Sequence, residues 1–203
     1  MPTFENKTPE EVKENWLYNL LSGGPEEASG LAGPMPLISK LKAFRKFGPE
    51  TKRHLASGFR KIPQIIFDVV KDIQVKPSYE MSTSPAAGGS YNWTGKGKGI
   101  GKNVIEIRQS NVDPFPINAE EQAATVFHEL GHAAQHLHLP FKEWNTRGRV
   151  LENTADLFSN NFFPQGKKYN AYLNGPTRSP TSTEEYLKSI SMLSDLLQSM
   201  GPK

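Results

Sequence analysis

Residues 118–138 constrain the fold more than any other stretch, because they read as one capped amphipathic helix whose two faces carry different chemistry. Asn118 suits the N-cap position, and Glu121 three residues on completes a capping box, which predicts a helix over about 119–138. Ala123, Val126, Phe127, Leu130 and Leu137 recur at helical spacing and form a core-facing stripe. The opposite face carries His128-Glu129-Leu130-Gly131-His132, an H-E-x-x-H sequence. Histidines at i and i+4 stand one turn apart on one face, about 6 Å from each other, and can share a cation. Glu129, next to the first of them, is placed toward a water on such an ion rather than toward the ion itself. Gly131 in mid-helix costs about 1 kcal/mol relative to Ala, so a close approach by another element is expected there.

The rest of the chain narrows the chemistry further. Cysteine is absent, which removes disulfide scaffolds, thiol nucleophiles, iron–sulfur clusters and thiolate-bound zinc together. Hydrophobic residues make up only 36% of the 203, yet 11 Phe, 6 Tyr and 3 Trp are enough for a real core. No apolar run approaches the ~20 residues that span a bilayer, and no leader-like apolar stretch follows Met1, so a cytoplasmic protein is the default expectation. A net charge of +3 implies no polyanion partner by itself.

Along the chain, Thr8-Pro9-Glu10-Glu11 opens a short amphipathic helix over about 9–21, and a Gly/Pro-rich linker follows to residue 36. Residues 1–36 are therefore expected to be an N-terminal extension, with one domain over 37–203. Leu37 to Phe47 carries a helical stripe that Gly48-Pro49 ends, and a second helix is expected to about Arg60. Ile62 to Val75 is ambiguous between buried helix and strand. Residues 82–102, with six Gly and Pro85, predict turns and a loop, and Val104–Arg108 predicts a strand of mixed exposure. Helices are expected from about Arg149 to Phe162 and from Ser182 to Met200, the latter with Tyr186, Leu187, Ile190, Leu193, Leu196 and Leu197 as its apolar stripe. Helices, then strands, then helices suggest α+β.

A catalytic zinc takes three protein ligands and keeps one position open. Two residues compete for the third place. Glu152 lies on the next expected helix, and Asp156, one turn further along the same face, is placed to accept the second ring N–H of a liganding imidazole. His138, six residues after His132, has the spacing of H-E-x-x-H-x-x-G-x-x-H, but Gln135 stands where that pattern needs the Gly that lets the chain leave the helix. Glu152 is favoured. His136 falls on the ligand side but far along the helix, and reads as a surface or cleft histidine. Met192 and Met200 fall in the terminal helix, not in a Met-turn.

The stretch from Asn118 to Phe163, with FHELGHAAQH on one helix and LENTADLFSNNFF on the next, resembles the gluzincin-type zinc metallopeptidases. E-x-x-A-D-x-F is similar to the ImmA/IrrE-like branch of bacterial metallopeptidases. The resemblance covers about 46 of 203 residues. It implies a zincin-like domain in which His128, His132 and Glu152 bind one zinc, Glu129 is the general base and Asp156 partners His128. It also implies a substrate-binding edge strand before the site helix, for which Val104–Arg108 has the right position. A transition-state donor would lie downstream, with Tyr169 and Tyr172 as candidates. A protein or peptide would be the substrate.

Two other signals qualify this picture. Residues 95–102, GKGKGIGK, match neither phosphate-loop template and read as a loop or flap before the strand. Lys40, Lys42, Arg45, Lys46, Lys52, Arg53, Arg60 and Lys61 face only Glu50 as counter-charge. They form either a solvated helix face or a patch for nucleic acid or an anionic surface. The second option would suit a nucleic-acid-associated, antirestriction-type protein that carries a metallopeptidase domain. A degenerate zincin acting only as a binding module is a third option, against which the intact His128, Glu129 and His132 stand.

Overall fold

The computed structural model describes residues 46–59, 61–81, 88–93, 103–109, 117–139, 148–163 and 182–200. The expected helix over 9–21, the linker to residue 36, most of the 37–47 helix, residues 95–102 and Tyr169 and Tyr172 lie outside them. Among the described residues the fold is α+β, with helices around a three-stranded mixed sheet.

Helix α1 spans Pro49–Phe59, opening on a proline whose missing N–H costs a helix start nothing. The ambiguous run over residues 62–75 holds two elements. Pro63 sits in the N-cap place of a short helix α2, Gln64–Val69; the backbone turns extended at Val70, and strand β1 follows at Asp72–Lys76. Its strict alternation buries Ile73 and Val75 and leaves Asp72, Gln74 and Lys76 half-buried, the period-2 signature of a strand with one face on the core.

Strand β2, Gly89–Asn92, lies inside the stretch expected to be turns, and strand β3, Val104–Arg108, follows it. The order is β1-β3-β2, with β3 parallel to β1 and antiparallel to β2. Val104–Arg108 is therefore the central strand and not the expected edge strand, and all five of its residues are buried rather than mixed. Its polar positions hide because partners flank them: Glu106 pairs in register with Gln74 and Ser90 and accepts from the Lys76 ammonium. Among the described strands β2 is the edge that lies against the longest helix.

That helix, α3 (Ala119–His138), is where the two layers meet. Phe127 stacks on Phe163 and meets Phe59 edge-on, with ring centroids 5.4 Å apart in both pairs. Beside them Ile73, Ile105, Ile107, Val126 and Leu130 complete the core. Buried Gln122 accepts from Thr51 Oγ1 on α1 and donates to the Arg108 carbonyl on β3, so one side chain ties three elements together. Helix α4, Gly148–Phe162, runs beside α3, and Ser159 Oγ donates to the Ala124 carbonyl at 3.0 Å.

Helix α5, Thr183–Ser199, starts at a Ser182–Glu185 capping box and packs on α4. Its buried face is Ser189, Met192 and Leu196, with Leu193 and Leu197 partly covered. Tyr186, Leu187 and Ile190 of the expected stripe are exposed instead. Ser189 sits at the contact with α4: its hydroxyl, 2.7 Å from the Glu185 carbonyl one turn back, also lies 3.3 Å from the Val150 carbonyl. No helix among the described residues is long and apolar enough to cross a membrane.

Candidate metal centre

The Asn118–Glu121 capping box forms as expected, with the Asn118 side chain accepting from the Glu121 amide and the Glu121 carboxylate accepting from the Asn118 amide. The helix then runs unbroken through His128, Glu129 and His132, all three buried. The imidazoles stand with ring centroids 4.8 Å apart and planes at 86°. Buried polar groups need partners, and α4 supplies most of them. Gly131 lets it come close: a Cβ on that glycine would lie 2.9 Å from the Ala155 Cα and 3.2 Å from the Phe158 Cβ.

Glu152 and Asp156, one turn apart on α4, reach His128 from two sides. Asp156 Oδ1 lies 2.8 Å from His128 Nδ1, and Glu152 Oε2 lies 3.4 Å from His128 Nε2. The other Glu152 oxygen is 3.7 Å from His132 Nε2. His132 Nδ1 has its own partner, the Gln135 side-chain oxygen at 2.9 Å, and Gln135 Nε2 donates to the Leu151 carbonyl at 2.7 Å. In both rings Nε2 faces Glu152 while Nδ1 is held from behind.

His128, His132 and Glu152 each offer one ligand atom, and these atoms lie within 4.8 Å of one another. Two neutral imidazole nitrogens and a carboxylate oxygen are a donor set suited to zinc with a fourth position open. The Glu152 oxygens stand 3.4 and 3.7 Å from the two Nε2 atoms, a spacing compatible with donors that each approach one shared ion at about 2 Å.

The charges reinforce one another. Burial alone would push the His128 imidazolium down, but its bonds to Asp156 and Glu152 outweigh this and hold it well above the ordinary value. His132 moves the same way: burial and the neighbouring His128 oppose the charge, and Glu152 together with Glu129 outweighs them. Burial raises the Glu152 carboxyl, yet the two imidazoles hold it far below the usual carboxylate range. Glu129 goes up, because burial outweighs the pull of both histidines. Asp156 is also raised by burial, with His128 working against it.

The remaining candidates sort by geometry. His138, the rival third ligand, is exposed, and its Nε2 lies 2.8 Å from Ser199 Oγ on α5, away from the other two histidines. Gln135 lets the helix continue to His138 rather than leave it as the metzincin pattern requires. His136 Nδ1 lies 2.8 Å from the Tyr91 hydroxyl on β2, and its ring sits 5.3 Å from Trp93. Burial lowers His136 and raises Tyr91, so both groups keep their neutral forms. Of the basic run, Lys46, Arg53 and Lys61 are exposed and Lys52 is half-buried; Lys40, Lys42, Arg45 and Arg60 lie outside the described residues.

Two residues escaped sequence reasoning. Gln135 was legible only as the absence of a glycine, although its i,i+3 spacing from His132 is the signal for a side-chain pair on one helix. Gly89 on β2 was hidden among the glycines of residues 82–102. A Cβ there would lie 2.7 Å from Thr125 Cγ2 and 3.1 Å from Glu129 Cγ, so the edge strand runs directly against Glu129. Compared with family models, with curated proteins and with solved structures, the chain gives no match.

Proposed function

We propose that the chain is a zinc-dependent metallopeptidase of zincin type, in which His128, His132 and Glu152 hold the ion and Glu129 is the general base. One observation carries this: both Nε2 atoms face the Glu152 carboxylate, at 3.4 and 3.7 Å, while an acceptor backs each ring at Nδ1. A structural ion pair would need no such backing on both rings, whereas liganding histidines normally have it.

Zinc, when bound, makes its water a nucleophile near neutral pH and polarises the scissile carbonyl. The protein's own groups do the rest. Glu129 takes a proton as water adds to the carbonyl carbon and delivers it to the amine as the C–N bond breaks. An extended peptide would pair with the outer side of β2, an edge among the described strands, which takes over the part that sequence assigned to Val104–Arg108. Gly89 brings that edge up to Glu129, so a peptide laid there would pass beside the base.

The test is metal content together with hydrolysis of an unstructured protein such as casein. Wild type should carry about one zinc and cleave the substrate, and a chelator should stop cleavage. Glu129→Gln should keep the zinc and lose cleavage, because the amide keeps the shape but cannot take the proton. Absence of zinc from the purified wild type, or full activity in Glu129→Gln, would sink the proposal.

A further inference from the structure

We infer that Gln135 is a positioning residue that fixes the ring of His132 with its proton on Nδ1; this rests on His128, His132 and Glu152 being the metal ligands. A backbone carbonyl can only accept a hydrogen bond. The Leu151 carbonyl therefore orients the Gln135 amide with its NH2 group inward, at 2.7 Å. The amide oxygen must then point the other way, where it lies 2.9 Å from His132 Nδ1. That oxygen in turn can only accept, so Nδ1 carries the hydrogen. Whenever the ring is neutral, its lone pair is on Nε2, facing Glu152.

The orientation is thus handed from the backbone of α4 through an amide to an imidazole. The carbonyl that sets it belongs to Leu151, the residue directly before Glu152. Position and tautomer of His132 are coupled to the turn that carries the third ligand. Gln135 is fully buried, and turning its amide over would set the amide oxygen against the Leu151 carbonyl oxygen. A neutral partner also has an electrostatic logic. Glu129, Glu152 and Asp156 already surround the two rings, and a fourth carboxylate behind His132 would raise the cost of burying like charges together. Asp156 serves His128 as a charged acceptor, and Gln135 serves His132 as an uncharged one.

The experiment uses the zinc-loaded full chain, with ring nitrogens observed by 15N NMR and zinc affinity measured by competition with a chelating dye. In wild type, His132 should keep a slowly exchanging Nδ1–H and bind zinc through Nε2. Gln135→Met, similar in shape but unable to accept from the ring, should exchange that proton rapidly and bind zinc about 10-fold or more weakly. The His128 signals should stay in place. Wild-type His132 protonated on Nε2, or equal zinc affinity in wild type and Gln135→Met, overturns the inference alone. A wild type that binds no zinc overturns the metal site and this inference together. The wild-type ring spectrum needs no variant: recorded also on chelator-treated protein at a pH where the ring is neutral, it shows whether Nδ1 keeps the proton without zinc. The tautomer is thus decided even if Gln135→Met fails to fold, and a neutral metal-free ring protonated on Nε2 overturns the inference.

Discussion

Asp156 Oδ1 lies 2.8 Å from His128 Nδ1, while Glu152, one turn earlier on the same helix, faces Nε2 of the same ring at 3.4 Å. Helix α4 thus holds one imidazole by both of its nitrogens. A carboxylate behind a liganding histidine fixes its tautomer and raises its basicity, and losing it typically weakens metal binding by about 10–100-fold. Asp156→Asn still offers a carbonyl acceptor, whereas Asp156→Ala offers none. Zinc affinity should fall in the order wild type, Asn, Ala, with the fold retained in all three by circular dichroism. Equal affinities would mean that the Asp156–His128 bond serves packing alone.

The third coordination position can be assigned by a pair of variants. Glu152→Ala removes the carboxylate that faces both Nε2 atoms and should cut zinc occupancy sharply, as measured by elemental analysis after dialysis. His138→Ala removes only an exposed contact with Ser199 and should leave occupancy near the wild-type level. The reverse pattern would require the end of α3 to unwind and bring His138 to the ion.

Much of this site could be read from sequence because it depends on short-range spacing. His128 to His132 is one helical turn, Glu152 to Asp156 is another, and Asn118–Glu121 and Ser182–Glu185 are local capping boxes. What could not be read depends on pairing between distant segments. The edge or centre position of Val104–Arg108 is decided by β1 and β2, and β2 itself sits within a Gly-rich stretch that reads as turns. Gln135 also needed the structure, since its meaning comes from the Leu151 carbonyl on the other helix. On α5, the small Ser189 lies buried at the contact while Tyr186, Leu187 and Ile190 are exposed, because a short side chain whose hydroxyl bonds back to the Glu185 carbonyl lets the neighbouring helix come close.

The metal-free protein should lose stability as pH rises above neutrality. His128, His132, Glu129 and Asp156 all bind protons more tightly in the folded state than in the unfolded chain. For the two histidines that contribution is fully present below the ordinary value of 6.5 and is lost as pH climbs through their raised folded values. Glu152 has the opposite sign: its contribution is present above 4.5 and lost only as pH falls below that. Chelator-treated protein should therefore melt highest between about pH 4.5 and 6.5 and lower at pH 8.5, as read by thermal denaturation. Zinc-loaded protein should show the reverse trend above pH 6, because the ion takes the place of the ring protons and binding releases them. A metal-free melting temperature that climbs steadily from pH 5 to 8.5 would contradict the charge arrangement around His128 and His132.

Replacing Gly131 by Ala tests whether close packing of α3 on α4 sets the site. In an ordinary mid-helix position this change stabilises by about 1 kcal/mol, through helix propensity alone. Here the added methyl would meet the Ala155 Cα at 2.9 Å and the Ala155 Cβ at 3.3 Å, and a backbone atom cannot swing aside as a side chain can. Overpacking of this kind costs about 1–3 kcal/mol, which outweighs the propensity gain. The strain is relieved by moving α4 outward, and Ala155 lies between Glu152 and Asp156 on that helix. Gly131→Ala should therefore lower both the melting temperature and the zinc affinity, with Gly131→Val, larger and β-branched, worse in both. A higher melting temperature with unchanged zinc affinity in Gly131→Ala would show that the two helices have slack between them.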